Sequence, residues 1–519
     1  MARKWWTLSV VSVATFMLLL DISVVNVALP SIRRDLGGTF ADVQWVIDAY
    51  TLTLATFVLT AGSLADRLGR RRVFFAGVAI FSGASGLCAL APDPTFLDLA
   101  RAVQGVGGAA MFAVSLALLA QEFARGRERA TAMGIYGATL GVALALGPLL
   151  GGALTDALGW ESIFYINVPI GAATMVVTQL KLRESRDPNA GVVDWGGFIL
   201  FTMALFMLVL ALLRGNDKGW GSTEIHSLFA ASALLLLLFV SVERVAPNPM
   251  LPLGLFRRGA FTGVQLATFA VSGSAYALFL YISLYLQNYL GYSALQTGLR
   301  YLPITLMTLV AAPAAGALLS RVPPRLLMAA SLALVGVGLL MLSGLRTDSG
   351  WSGLLAGFVL IGTGAGVLAP VVADVALSVV PEERSGMASG INDTFRQVGI
   401  AVGVAVWGAI FVGHGAAKVR EAAGPAIAGG RHPRLLVEAA SSGSLHNALS
   451  SVPPSLRASI SRAAREGFIA GFNEVMFLGA LISLGGAVLA LAVVKEEEID
   501  RDASALDEGS AMFTTSRQG

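Results

Sequence analysis

Apolar runs about twenty residues long recur along almost the whole chain, and short segments between them carry most of the Lys, Arg, Asp and Glu. A helix of ~20 apolar residues crosses a hydrocarbon core ~30 Å thick. The pattern predicts fourteen such helices, near residues 7–29, 44–64, 73–91, 96–120, 130–156, 162–180, 193–213, 226–243, 259–287, 297–319, 326–345, 352–377, 386–413 and 468–494. Two stretches repeat at matching places. GSLADRLGRR at Gly62 is echoed by GALLSRVPPR at Gly316, and QGVGGAA at Gln104 by IGTGAGVLAP at Ile361. The chain therefore divides into a six-helix half (1–190), two inserted helices (191–258) and a second six-helix half (259–494), with a long external loop at 414–467 and a polar, disordered tail at 495–519. Within the loop, 455–468 reads as a surface helix and the rest as irregular. Paired halves related by an axis along the membrane normal are a transporter plan, with the substrate held near the midplane between them.

Composition agrees. Of 519 residues, 55% are hydrophobic and 13% charged, against roughly a quarter charged in soluble domains, so no soluble domain larger than a loop fits. The net charge of +3 is scattered among loops, which excludes a nucleic-acid face. Lys and Arg concentrate in alternate loops, placing both termini in the cytoplasm of a multi-pass protein of the cytoplasmic membrane; the 414–467 loop is the poorest fit to that rule. The single cysteine, Cys88, can form no intrachain disulfide. His226, His414, His432 and His446 lie at or outside span ends, so no metal or nucleophile constellation is present. No G-x-x-x-x-G-K-[ST] loop appears, which argues against ATP as the drive, and no cofactor is implied.

Charges inside spans are costly and therefore informative. Asp21 interrupts the first span and Arg101 lies five residues into the fourth; at ~1.5 Å per residue both sit ~21–22 Å above the cytoplasmic surface, with Asp48 near ~24 Å. Two readings stay open: a static ion pair of Arg101 with Asp21 or Asp48, or a buried acid that gains and loses a proton. The stretch Gly62 to Arg72 reads as a tight loop, with Gly62 and Gly69 allowing close approach or positive φ, Asp66 a fixed acid at a helix end, and Arg67 and Arg70 to Arg72 supplying positive charge. In the fifth span Gly137, Gly141 and Ala145 form a small-residue stripe, followed by Gly147, Pro148, Gly151 and Gly152; Pro148 removes a backbone donor and bends the helix. GINDTFRQVG puts Asn392, Asp393 and Arg396 inside a span, where the Asp393–Arg396 spacing also suits a purely structural pair. The aromatics Phe279, Tyr281, Tyr285 and Phe395 are candidates to line an apolar cavity.

These motifs resemble those of the major facilitator superfamily, in particular its fourteen-span drug:proton antiporter branch. GSLADRLGRRR matches the loop signature G-x-L-a-D-r-x-G-r-r/k-r, LDISVVNVALP the first-span signature, RAVQGVGGA the R-x-x-Q-G-x-G-g-a pattern, and GATLGVALALGPLLGG the fifth-span pattern that marks exporters. WESIFYINVPIG follows W-R-W-I-F-x-I-N-v-P-i-G, with Glu161 and Ser162 replacing Arg and Trp, and Asp393 stands where Asn is common. The resemblance implies the major facilitator fold and a proton-coupled exporter of small hydrophobic or cationic compounds working by alternating access, not an enzyme, with substrate, protons and the bilayer as its partners and the monomer as its state. It assigns proton transfer to Arg101 and coupling to Asp21; Asp48 joins them as a candidate by its depth alone. It makes Gly62, Asp66, Arg67, Gly69 and Arg70 a gating loop, and makes the fifth-span glycines a bend and seal between halves. Asn26, Gln104, Asn392, Asp393, Phe395 and Arg396 are the cavity candidates. A dedicated exporter or symporter of one metabolite is the alternative; a membrane receptor or enzyme ranks third.

Overall fold

The computed structural model describes residues 3–37, 40–123, 127–187, 193–319, 321–423, 433–450 and 452–497, and these are helices and short connections with no strand among them. Thirteen helices are long and apolar enough to cross a membrane. A further long helix, α5 (Arg127–Leu158), stands where the fifth span is expected, so the fourteen-helix plan is compatible with the described residues. The remaining helices of the first half are α1 (Arg3–Leu36), α2 (Phe40–Leu68), α3 (Arg70–Ala89), α4 (Pro94–Glu122) and α6 (Ser162–Lys181). The inserted pair is α7 (Trp195–Lys218) and α8 (Thr223–Val245). Then come α9 (Gly259–Tyr289), α10 (Ala294–Leu318), α11 (Pro324–Leu342), α12 (Leu355–Ser378), α13 (Ser385–Ala423), two short helices α14 (Pro433–Ser441) and α15 (Leu445–Ser450), and α16 (Pro454–Val493).

Local chemistry fixes several starts. The Asp93 carboxylate accepts the Phe96 amide ahead of Pro94 at the first helical position, and Ser293 with Gln296 completes a reciprocal capping box at α10, each supplying acceptors or donors that a helix end otherwise lacks. Asp194 caps α7 through the Gly197 amide. In α9 the regular ladder is interrupted by two π-helical turns, Ser272–Tyr276 and Tyr285–Tyr289. At the first of these the Gly273 carbonyl accepts from the Trp407 indole N–H at 2.6 Å, the usual way a displaced carbonyl is satisfied at such a turn.

The first six helices pack mainly among themselves, as do α9 to α13 with α16. The two groups meet along two seams, α2 against α13 and α5 against α10. The inserted α7 touches both groups. Thr202 on α7 shares a hydroxyl hydrogen bond of 3.0 Å with Thr60 on α2, the Asn216 amide donates to the Ala405 carbonyl on α13 at 3.0 Å, and Arg214 lies over the Trp45 ring at 4.9 Å. The α8 helix is mostly uncovered, with Leu234, Leu237 and Val245 exposed, as suits a helix whose outer face meets lipid.

Three expectations need correcting. The Gly62–Arg72 stretch is almost entirely helical: α2 runs to Leu68 and α3 begins at Arg70, so the turn is the single residue Gly69. The 455–468 segment is not a separate surface helix but the first turns of α16, and α13 continues to Ala423, so the two helices extend past the predicted span ends as a hairpin with α14 against them. Buried Leu436 and Val437 of α14 hold that cap in place. Third, Tyr281 and Tyr285 are core residues, with ring centroids 5.2 Å from Phe411 and Phe472 respectively, while Phe279 stacks on Tyr301. The expectations for the Ala145 and Pro148 side chains and for residues 188–192, 424–432 and 498–519 fall outside the described residues.

Gly69 has φ +113° and ψ 128°, a region that is essentially glycine's own. Replacing it with alanine forces a Cβ into that conformation and against the Glu184 carboxyl group. Gly69→Ala should therefore destabilise the detergent-solubilised protein by ~1–3 kcal/mol, read as a lowered thermal midpoint; an unchanged midpoint would show that the turn relaxes freely.

Candidate functional site

Among the described residues, three acid–arginine sets hold a buried carboxylate, and they differ in how completely their polar atoms are satisfied. The first is enclosed in the first half. Asp21 on α1 meets Arg101 and Gln104 on α4 and Asn167 on α6, all four at most 1% exposed. Arg101 Nη1 donates to Asp21 Oδ2 and to Gln104 Oε1 at 2.7 Å, and Nε donates to the Val46 carbonyl at 2.8 Å. Gln104 Nε2 and Asn167 Nδ2 both donate to Asp21 Oδ1, at 2.9 and 3.1 Å. The guanidinium also stacks 4.2 Å above the Tyr50 ring. A charge taken out of water survives only with this kind of compensation. Arg101 and Gln104 share a face because they are one turn apart, as their spacing suggested.

Membership of this set differs from the expectation in three ways. Gln104 belongs here, against Asp21, and not to a cavity. Asp48, two residues beyond Val46, is half-buried and accepts none of the three hydrogen bonds that Arg101 donates. Asn167 was missed, although it stands in the quoted INVPIG stretch; a polar amide in an apolar span was the available signal. Its amide also donates to Ser85 at 3.0 Å, tying α6 to α3.

The second set joins the two halves at the end expected to face the cytoplasm. Asp66, at the end of α2, accepts from the Gly386 and Met387 amides at 2.9 and 2.7 Å. These are among the amides that a helix leaves unpaired at its N-terminus, here that of α13, where partial positive charge favours a carboxylate. Arg70 Nε and Nη2 donate to the same carboxylate at 2.9 and 2.8 Å, and Nη2 reaches the Glu383 carbonyl at 2.9 Å. Close backbone approach makes this possible: a Cβ on Gly62 would strike the Gly386 carbonyl. Arg67 turns to the inserted segment instead, donating to the Asn248 carbonyl at 3.2 Å, and the Asp187 amide donates to the Asp66 carbonyl at 2.7 Å. The linkers on both sides of the inserted pair thus converge on this loop.

The third set is on α13. Asn392 Nδ2 donates to Thr268 Oγ1 at 2.8 Å and Gln265 Oε1 at 3.3 Å on α9, neither of which the sequence reading singled out. Asp393 is fully buried and Arg396 lies 3.2 Å from it, but neither carboxylate oxygen has a hydrogen-bond donor in proper geometry. Phe395 points away from these groups and packs on Phe256 of the linker, 6.2 Å between centroids. Asn26 is exposed on α1 and, among the described residues, donates to the Ile22 carbonyl of its own helix at 3.0 Å.

The fifth-helix glycines divide between two surfaces. Gly137 and Gly141 face the second half, where an added Cβ would lie 3.7 Å from Ala369 and 3.9 Å from Thr305 and Thr308. Gly147 and Gly151 face α1 within the first half: a Cβ on Gly147 would collide with Ser23, and one on Gly151 would lie 3.0 Å from Val24. Gly152 is looser, with Val27 at 4.0 Å. The stretch is therefore both a seam between halves and a tight seat for α1.

Comparison with known proteins fits this architecture. The family model for the Major Facilitator Superfamily matches residues 11–404. The chain is 38% identical over 405 residues to the multidrug resistance protein Stp of Mycobacterium tuberculosis, covering 78% of this chain and 75% of that one. It is 33% identical over 507 residues to the tetracenomycin C resistance and export protein of Streptomyces glaucescens, covering 96% and 93%. Among solved structures, the proton:xylose symporter XylE superposes with a TM-score of 0.60 at 12% identity, covering 96% of this chain and 99% of that one, a likeness of fold alone.

Because Asp66 gathers donors from both halves, neutralising it should loosen that end. In a Met387→Cys background, adding Asp66→Asn should raise labelling by a water-soluble maleimide several-fold, while buried Cys88 stays unreactive. Equal labelling rates with and without the Asp66 change would show that the carboxylate does not hold this end shut.

Proposed function

The chain belongs to the major facilitator superfamily, and from that premise we infer that it exports small, largely apolar or cationic compounds across the cytoplasmic membrane in exchange for protons, by alternating access. The observation that carries the proton coupling is Asp21: an intramembrane carboxylate held to Arg101, Gln104 and Asn167 by hydrogen bonds and sealed from solvent on every side. Intramembrane acids of this kind mark proton or substrate pathways. Entry of one proton down a force of about 150 mV releases ~3.5 kcal/mol, enough for a gradient of two to three orders of magnitude.

In this reading Asp21 takes up and releases the proton, while Arg101 alternates between Asp21 and its other acceptors, Gln104 and the Val46 carbonyl. The Asp66 cluster closes the cytoplasmic end while the opposite end is accessible, and must separate once per cycle. Gly137 and Gly141 let the halves slide without interlocking side chains. Relatives named for multidrug resistance and for tetracenomycin C resistance and export support the direction of transport. Because the match to the tetracenomycin C relative runs nearly end to end, a dedicated exporter of one self-made compound is the second reading; efflux of a single member of a chemically varied panel would favour it.

Asp21→Asn keeps the shape of the side chain and removes its titration. In proteoliposomes under an imposed pH gradient it should abolish uphill transport, yet leave substrate-for-substrate exchange within a few-fold of the unaltered protein. Full accumulation against a gradient by the Asn variant would assign coupling to another group, with Asp48 and Asp393 next to be tested.

A further inference from the structure

At the end of the second half remote from the Asp66 cluster, one arginine is held by aromatic rings instead of by an acid. Arg300 lies in the second turn of α10, near the start of the span predicted at 297–319. Its guanidinium carbon sits 3.5 Å from the centroid of the Tyr292 ring and 5.5 Å from that of Trp351. Among the described residues it makes no ion pair and one hydrogen bond, from Nη1 to the Gln296 carbonyl at 2.9 Å. Nε is buried without a partner, so the Nε–Nη2 edge, which carries two parallel N–H donors, has no acceptor. Arg101 and Arg70, by contrast, each reach a carboxylate.

Below this group the surface turns apolar. Leu299, Leu306 and Val310 are each more than half exposed, and their spacing places them on one face of α10. Val359 on α12 is exposed as well, about two turns past Trp351. The two helices are in close contact beside that face, since a Cβ on Gly362 of α12 would strike the Ile304 carbonyl of α10. At ~1.5 Å per residue Val310 lies ~15 Å deeper than Arg300, which is half of a ~30 Å hydrocarbon core. The apolar track is therefore as deep as one leaflet.

We propose that Arg300, Tyr292 and Trp351 form a headgroup site for one anionic phospholipid, such as phosphatidylglycerol, of the leaflet at that end, with an acyl chain lying along Leu299, Leu306 and Val310. The proposal goes beyond the transport reading and does not rest on it. A cation at the edge of hydrocarbon is costly without a counter-charge, and the described residues supply none. Two oxygens of a phosphate match the parallel donors of a guanidinium edge, and Trp and Tyr rings sit by preference at headgroup level. A soluble phosphate would meet the same donors but gain nothing from the leucine face, so the occupant is the lipid. In the expected orientation of the chain this leaflet is the outer one.

The test is native mass spectrometry of the purified, delipidated full-length protein in detergent, titrated with dioleoyl-phosphatidylglycerol or dioleoyl-phosphatidylcholine. Phosphatidylglycerol should be retained at about tenfold lower concentration than phosphatidylcholine, the scale of one charge-assisted bond. Arg300→Gln should carry one phosphatidylglycerol fewer at saturation. Arg300→Lys, which keeps the charge and loses the fork, should weaken that lipid a few-fold, and Arg346→Gln, at an exposed arginine of the same end, should change nothing. Location is read separately in the unaltered protein: phosphatidylglycerol with a diazirine in its acyl chain should label the stretch from Leu299 to Val310, and millimolar glycerol 3-phosphate should not displace it. Equal retention of the two lipids, an unchanged adduct count in Arg300→Gln, or labelling confined to other helices overturns the site; displacement by glycerol 3-phosphate overturns the lipid as its occupant.

Discussion

Hydrocarbon offers no water to complete a hydrogen bond, so every charge kept within a span must be satisfied by protein, and the three sets differ in how fully that is done and by which half. Arg101 is the best-satisfied cation of the three sets: its Nε and Nη1 donate to the Val46 carbonyl, Asp21 and Gln104, and Tyr50 covers its face. Asp66 is equally full, but its donors come from two bodies: Arg70 from its own half, the Gly386 and Met387 amides from the other. Separating those bodies leaves amides and a carboxylate that only water can satisfy, so this cluster can open toward the aqueous end and not into lipid. Arg396 is the undersatisfied case, and it faces the seam.

The inserted helices add a restraint that six-helix halves alone would lack. The α7 helix holds α2 through Thr202 and α13 through Asn216, on opposite sides of the seam, and Arg67 binds the segment that follows α8 at Asn248. Each bond is modest, about 0.5–1.5 kcal/mol net, small enough to break within a transport cycle. Together they link the loop end of α2 to the same insertion that touches α13, so movement at the Asp66 cluster is felt by α7.

Much of this was legible in the chain. Apolar run length gave the helices, because a bilayer fixes how many residues a span needs. Asp21 and Arg101 declared themselves as charges at equal depth, and the structure brings them into contact. What escaped was partnership across distant sequence. Asp48 looked eligible by depth, yet only the rotation of α2 about its axis decides that the Val46 carbonyl takes an Arg101 hydrogen bond and Asp48 takes none of the three, and Asn167 enters from a helix far along the chain. Tyr136 and Phe112 carried no signal, since an aromatic in an apolar span is ordinary until the opposite half places Arg396 beside it. The extent of α13 and α16 was hidden because their outer turns are too polar for a span, while the contacts that keep them helical come from α14.

The division of α5 into two surfaces bears on how the Asp21 cluster and the seam between the halves communicate. Among the described residues the hydrogen-bond partners of Asp21, namely Arg101, Gln104 and Asn167, all belong to the first half, so the proposed change of charge there would reach the second half through the helices between. Its helix, α1, is seated on α5 at Gly147 and Gly151, where there is no room for even a methyl group at the closer position. About two to four turns away, the same helix presents Tyr136, Gly137 and Gly141 to the second half. Close-packed elements transmit displacement because they cannot absorb it. In the proposed cycle, a shift of α1 following a change of charge at Asp21 would be passed to α5, and α5 would carry it to the seam between the halves. The small residues do two opposite things on one helix: at Gly147 and Gly151 they lock α1 in place, and at Gly137 and Gly141 they leave the other half free to move.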